Sequence, residues 1–139
     1  MNKSRLLILF FLALISCKSS DINPSDLIGK WGFTGITQHQ NINENWTPWR
    51  VNPTFLKPIP FIYEFTSDGN FLRDGQPGAD CCDTGNKFRV VNNEINFSDF
   101  LPCPTVKCAK PQNWIIVQIK EDTLILEKYS IRNKYIKIK

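Results

Sequence analysis

Two short alternating segments around Asn92-Asn93 constrain the fold more than any other part of this 139-residue chain. Asparagine tolerates a left-handed backbone, so this pair is typical of a two-residue turn between antiparallel strands. Counted outward from the turn, the facing residues are Val90 with Ile95 and Phe88 with Phe97. These apolar side chains then share one face, and charged or amide side chains occupy the other. The turn signal and the two-residue alternation of apolar side chains indicate the same pairing of residues. The sequence therefore predicts an antiparallel hairpin with one buried face.

The same pattern recurs at other turn signals along the chain. Ser67-Asp68-Gly69 suits a three-residue hairpin that sets Phe65 opposite Phe71. Glu121-Asp122 joins two segments whose apolar residues then face each other, Val117 and Ile119 against Leu124 and Leu126. The last strand is predicted at 134–139, where Ile136 and Ile138 alternate with lysines. About eight short strands without a long helical pattern predict an all-β fold, an antiparallel up-and-down β-barrel.

The first 17 residues are typical of a bacterial lipoprotein leader. Lys3 and Arg5 precede an apolar run at 6–15, which is too short to span a bilayer as a helix but suits a signal-peptide core. Leu14-Ile15-Ser16-Cys17 resembles a lipobox, which implies cleavage after Ser16 and lipidation of Cys17; the alternatives are an ordinary secretory signal or an uncleaved anchor. The predicted organisation is a signal peptide at 1–16, a lipidated N-terminus and tether at 17–26, and a barrel domain at 27–139.

The residue after Cys17 is Lys18. An aspartate at this position would indicate retention in the inner membrane. By resemblance to other lipoproteins, the lysine favours the outer membrane, on either its periplasmic or its surface face. Removal of Lys3 and Arg5 with the leader lowers the formal net charge from +4 to +2. A near-neutral secreted domain is not expected to bind nucleic acid, so the membrane, reached through the lipid, is its predicted partner.

The four remaining cysteines are Cys81, Cys82, Cys103 and Cys108. An even number of cysteines in an oxidising compartment predicts two disulfides. A bridge between the adjacent pair is disfavoured because neighbouring Cα atoms lie about 3.8 Å apart. Both remaining pairings tie the 81–82 loop to the 103–108 loop. The alternative is a Cys₄ metal site, but an adjacent pair departs from the usual spacing of zinc ligands, so no metal is predicted.

No motif for catalysis is present in the sequence. His39 is the single histidine, and it lies in a polar stretch without a nucleophile motif, which indicates a solvated residue at a strand end. The chain contains no G-x-S-x-G, P-loop or H-E-x-x-H pattern. We therefore expect a protein that is not an enzyme, with no catalytic residues and no cofactor.

Several motifs resemble those of a known family. Gly29-Lys30-Trp31 is similar to the G-x-W motif that opens the first strand of lipocalin-like domains. The resemblance continues through 65–71, Trp114 and 122–126, and spans about residues 27 to 138. Together these motifs resemble the small lipocalin-like lipoproteins of Bacteroidetes-type bacteria. The resemblance implies an arginine from a late strand over Trp31, and Arg132 is the nearest candidate, although it reads as a turn residue.

Aromatic residues are the candidates for binding. An eight-stranded barrel is wide enough to hold one small ligand, or its side chains simply fill the interior. The candidate contact residues are Trp31, Phe33, Tyr63 and Phe65 in predicted strands, and Trp46 and Trp49 in irregular segments near a proline-rich lip at 53–60. The sequence thus predicts a binding module for a small apolar ligand or envelope component. The alternative is an accessory subunit of an outer-membrane protein complex, contacted through the two irregular tryptophans and the lip.

Overall fold

The computed structural model describes residues 22–55, 59–105, 108, 111 and 113–139. The predicted signal peptide, the predicted lipidation site Cys17 and the first part of the predicted tether lie outside the described residues, as do residues 56–58 of the lip. The described elements are helix α1 (Pro24–Leu27) and strands β1 (Gly29–His39), β2 (Arg50–Val51), β3 (Ile62–Phe65), β4 (Phe71–Arg73), β5 (Gln76–Pro77), β6 (Lys87–Val91), β7 (Glu94–Ser98), β8 (Trp114–Lys120), β9 (Thr123–Lys128) and β10 (Ile131–Ile138). No helix in this part of the chain has the length and apolar character needed to cross a membrane.

Antiparallel pairing joins the strands into one curled sheet, which confirms the predicted all-β up-and-down fold. The hydrogen-bonded order is β5-β4-β3-β1-β10-β9-β8-β7-β6, with the two-residue β2 beside β1. The open edges approach each other at one corner, where Asn70 bridges Lys87. There the Phe71 amide donates to the Asn86 carbonyl at 2.8 Å, and the Phe88 amide donates to the Gly69 carbonyl at 3.0 Å. The sheet therefore forms a barrel of eight main strands that closes over a short length.

Two hairpins have the predicted register. Asn92 and Asn93 adopt positive φ angles of 51° and 63°, and Val90 pairs with Ile95 as the turn requires. In the β3–β4 hairpin, Gly69 has a φ of 80° and Phe65 faces Phe71. Both turns thus use the left-handed conformations that their residues tolerate best.

The β8–β9 hairpin differs from the prediction at one position. Ile119 faces Leu124 as expected, but Leu126 faces Ile116 because a β-bulge shifts the register before Gln118. Val117 is the extra residue, and 36% of its surface remains exposed. The predicted inward position of Val117 was therefore wrong, since a bulge changes which side chains face the core.

The last strand begins earlier than predicted. Tyr129 and Ser130 form a tight turn with φ angles of 49° and 60°, so β10 starts at Ile131 and Arg132 is a strand residue. Arg132 does not cover Trp31: its guanidinium carbon lies 3.8 Å from the ring centroid of Trp46. Lys137, five residues further along β10, instead places its Nζ 5.0 Å from the centre of the Trp31 ring. The implied role of Arg132 is thus filled by a different basic residue of the same strand.

Helix α1 covers one end of the barrel. Asn23 caps it by accepting a hydrogen bond from the Ser25 amide, and Leu27 is fully buried. The indole Nε1 of Trp31 donates to the carbonyl of Leu27 at 2.7 Å, which fastens the helix to β1. Because neighbouring strands run in opposite directions, the turns at 67–69, 92–93 and 121–122 lie at this same end. The longer connections between strands therefore lie at the opposite end.

Candidate functional site

A cavity of about 280 Å³ opens at the end of the barrel opposite helix α1. Its walls come from the last part of β1 and β9, the first part of β3, β8 and β10, and the segment before β3. The lining residues are Phe33, Phe55, Phe61, Tyr63, Trp114, Tyr129 and Tyr135, with Leu126 and Ile131, and the polar residues Thr37, His39, Asn52, Lys128 and Asn133. The strand-end position of His39 agrees with its sequence context, and it is exposed there. The floor of the cavity is apolar, and its mouth carries polar side chains that can donate hydrogen bonds.

The rings of the aromatic wall pack against one another. Phe33 stacks on Phe61 with centroids 4.8 Å apart, and Phe55 meets Phe33 edge-on at 5.0 Å. Tyr63 lies between Trp114, at 5.2 Å, and Tyr135, at 5.5 Å. Such aromatic pairs stabilise the wall beyond simple burial of their surface.

Three wall residues carry buried polar atoms. Burial raises the pKa of Tyr63 to about 12, and the Arg73 charge opposes this only in part. Burial, with the nearby Tyr63, raises the pKa of Tyr135 well above its usual value. Trp114 is 2% exposed, and its Nε1 has no hydrogen-bond partner among the described residues. The wall therefore presents neutral phenols and an unsatisfied indole donor at neutral pH.

Residues 78–86, which we call the cysteine loop, lie beside the mouth, where Asp83 contacts the lining residues Lys128 and Tyr129. Cys81 is disulfide-bonded to Cys103 and Cys82 to Cys108, with Cα separations of 5.3 and 5.2 Å. This is one of the two pairings that the sequence allowed, and it ties the same two loops together. The structure therefore supports the disulfide prediction and chooses between its alternatives.

Asp80 folds the cysteine loop into a compact turn. Its Oδ1 accepts hydrogen bonds from the amides of Cys82, Asp83 and Thr84 at 2.9, 2.6 and 3.2 Å. Burial alone would raise the pKa of Asp80, but these bonds stabilise the carboxylate and hold the pKa below its usual value. The buried Thr84 hydroxyl also donates to the Gly78 carbonyl at 2.7 Å. The loop is therefore ordered by its own polar contacts as well as by the disulfides.

A salt bridge joins the cysteine loop to the cavity. Lys128 forms an ion pair with Asp83, and the Tyr129 hydroxyl donates to the same carboxylate at 3.4 Å. The Lys128 Nζ also lies 5.3 Å from the centre of the Trp114 ring. Since Lys128, Tyr129 and Trp114 all line the cavity, the position of the loop affects the shape of the mouth.

The structure separates the six predicted contact residues into three groups. Phe33 and Tyr63 line the cavity. Trp31 and Phe65 are fully buried outside its lining. Trp46 lies on the outer wall beneath Arg132, and Trp49 lines a shallow groove there with residues such as Ile36 and Lys134.

Sequence reasoning missed two central wall residues, Trp114 and Tyr135, as contact candidates. In β10 it stressed Ile136 and Ile138, whereas Tyr135 is 3% exposed and Ile136 is 38% exposed. The signal that would have found Tyr135 is its register, because β1 places Phe33 directly opposite it.

No family model matches this sequence, and no curated protein and no solved structure matches it either.

Proposed function

We propose that this chain is a lipid-anchored lipoprotein of the cell envelope and that its barrel is a non-enzymatic binding module for a small apolar ligand or envelope component. The observation that carries the proposal is the cavity walled by packed aromatic rings, with one open end. A buried apolar space of about 150 Å³ is enough to take up benzene. The cavity is nearly twice that size, which suits one or two fused rings or a short acyl segment.

The mouth indicates how such a ligand is oriented. Lys128, His39 and Asn133 offer hydrogen-bond donors there, while Phe33 and Leu126 lie among apolar neighbours. A ligand with an apolar body and one polar acceptor group places the body among the rings and the acceptor at the mouth. The polar group then keeps contact with water, which avoids the cost of burying it without a partner.

The anchor rests on the leader sequence. The basic start, the apolar run at 6–15 and the lipobox ending at Cys17 support export, cleavage and lipidation together. Two acyl chains hold a protein stably at a bilayer, where one chain alone does not. The resemblance to small lipocalin-like lipoproteins, and the lysine after Cys17, support an outer-membrane location. Labelled palmitate should enter the wild-type chain in cells, and incorporation that persists in Cys17→Ser would contradict the anchor.

Ligand binding is tested with a cavity-filling variant. Ile131→Trp places an indole at the lining of the mouth, and Ile136→Trp makes the same change at an exposed position of the same strand. For naphthalene-2-carboxylate measured by fluorescence quenching, we expect Ile131→Trp to weaken binding about tenfold, since tenfold corresponds to about 1.4 kcal/mol of lost contact. Ile136→Trp should bind as wild type does. Equal affinities for all three proteins, or no binding by wild type, would contradict the cavity as a binding site.

The outer wall supports a second candidate, an accessory subunit of an outer-membrane protein complex. Trp49 is 40% exposed and Val51 is 68% exposed. Trp49 directly precedes β2, the short strand that pairs with β1, and Val51 ends it. A photo-reactive residue at position 51 should then cross-link to a protein partner in intact cells. The same residue at Ile42, an exposed position in the preceding loop, is the control. The absence of a product specific to position 51 would contradict this candidate.

A further inference from the structure

The two disulfides beside the mouth lie against each other, so that their four sulfur atoms form one cluster. All four Sγ atoms lie within 4.8 Å of one another. Between sulfurs of different disulfides, the Sγ atom of Cys81 lies 3.8 Å from those of Cys82 and Cys108. The Sγ atom of Cys103 lies 3.4 Å from that of Cys108. Two disulfides that merely staple loops do not require such a compact arrangement.

These separations suit a tetrahedral metal site. Zinc binds thiolates at about 2.3 Å, so the sulfurs at the corners of the tetrahedron lie about 3.8 Å apart. These three distances between sulfurs of different bridges are already close to that edge. After reduction, the two bonded pairs must move apart to reach it. Cys103-x₄-Cys108 also has the spacing of one ordinary zinc-ligand arm, and the fold brings the unusual adjacent pair to it.

Contacts that do not involve sulfur hold the two loops near each other. The Asn86 amide donates to the Asp99 carbonyl at 3.0 Å, and the Asn86 side chain donates to the Asp99 carboxylate at 3.1 Å. Asp80 orders the backbone around Cys82 through the three amide bonds described above. Asp83 is fixed to Lys128. The cysteines are therefore expected to stay close when the bridges are open.

We propose that reduction of both disulfides converts this cluster into a tetrathiolate site for Zn²⁺ or a similar thiophilic divalent cation. With a phosphine as reductant, each disulfide accepts two electrons, and water supplies the oxygen of the phosphine oxide and the protons of two thiols. Binding one Zn²⁺ to the four thiols then releases four protons. The metal holds the cysteine loop in place of the disulfides, so Asp83 keeps its position beside Lys128.

The test uses the full chain with Cys17→Ser, so that the cluster supplies the only thiols. The protein is reduced with a phosphine, freed of reductant under inert gas, and titrated with Co²⁺. We expect one Co²⁺ per chain, with the sulfur-to-cobalt charge-transfer and red d–d absorption of a tetrahedral tetrathiolate, bleached when Zn²⁺ displaces it. The unreduced protein should show neither band. Cys108→Ser, treated identically, should shift the d–d bands and bind more weakly.

A second measurement keeps the proposal falsifiable if the reduced apo chain loses its fold. Zn²⁺ should restore the β-sheet circular dichroism spectrum and slow alkylation of all four thiols about tenfold, as metal binding coupled to folding requires. A reduced chain that shows no sulfur-to-cobalt band overturns the proposal. It is equally overturned if the spectrum is unchanged in Cys108→Ser, or if Zn²⁺ neither restores the fold nor protects the thiols. None of these readouts depends on a ligand in the barrel cavity.

Discussion

Two buried tyrosines give the cavity wall a dependence on pH. Burial raises the pKa of Tyr63 to about 12 and raises that of Tyr135 well above its usual value of about 10. The folded state therefore retains these phenol protons more tightly than the unfolded state does. Their contribution to stability is complete below about pH 10 and is lost as the pH rises from there through the pKa values of the folded state.

An alkaline titration followed by tyrosinate absorbance and circular dichroism measures this effect. Tyr129, the third tyrosine, is half exposed, and we expect it to ionise while the sheet is intact. Tyr63 and Tyr135 should ionise only as the sheet signal disappears. In Tyr129→Phe the first step should be missing and the second unchanged. Three tyrosines that ionise together near pH 10 in a folded protein would contradict this prediction.

Period-two alternation could identify individual wall residues only where one face of a strand is clearly apolar. Phe33 and Tyr63 were found in this way. In β10 both faces carry long side chains, so alternation does not show which one turns inward. Tyr135 faces inward because β1 holds it against Phe33, and that long-range pairing is not visible in the local sequence.

Among the strands, the start of β6 depends on a glycine. A Cβ at Gly85 would lie 1.9 Å from the carbonyl oxygen of Ser98, which ends β7. Because this neighbour is backbone, Gly85→Ala should push the two strands apart and cost about 3 kcal/mol, the upper range for overpacking. Urea unfolding of the oxidised protein gives the measurement.

Gly75→Ala is the matched control for that change. Gly75 has a φ of 77°, but a Cβ there would meet nothing within 4 Å. Its substitution should cost only the backbone strain of about 1 kcal/mol. Similar losses for the two variants would mean that the close approach of β6 to β7 is not important for stability.

Turn chemistry explains which strand boundaries could be predicted. Asn92-Asn93 and Gly69 signal their own turns, so these hairpins were placed with the correct register. Tyr129-Ser130 makes an equally tight turn without such a signal, because pairing of His39 with Ile131 and of Gln38 with Arg132 determines where β10 begins. The bulge at Val117 is likewise invisible locally, since β8 begins with four consecutive apolar residues, 114–117, that do not show which of them face inward.

For the whole molecule, the weakest part of the barrel is the junction where β4 meets β6. Every other pair of neighbours in the strand order shares at least two ladder pairs, whereas this junction has one bridge, Asn70 with Lys87, and the two amide bonds of Phe71 and Phe88 beside it. The cysteine loop leads from β5, the short strand beside β4, to β6, and its disulfides fix it to the loop between β7 and β8. Covalent bonds thus hold together a region where backbone pairing is sparse.

The two disulfides should therefore stabilise the molecule in a strongly non-additive way. They close overlapping loops with separations of 22 and 26 residues, so either bridge alone removes most of the freedom of the unfolded chain. Loss of one should cost about 1 kcal/mol, and loss of both about 4.5 kcal/mol, because the last bridge alone contributes about 3.5 kcal/mol in the chain-entropy account. Urea unfolding of Cys81→Ala/Cys103→Ala, of Cys82→Ala/Cys108→Ala and of the quadruple variant gives the three values.

In the quadruple variant, hydrogen exchange should accelerate first at the Phe71 and Phe88 amides, because the junction then depends on them alone. Additive losses, or exchange that accelerates first elsewhere, would show that the disulfides act independently of barrel closure.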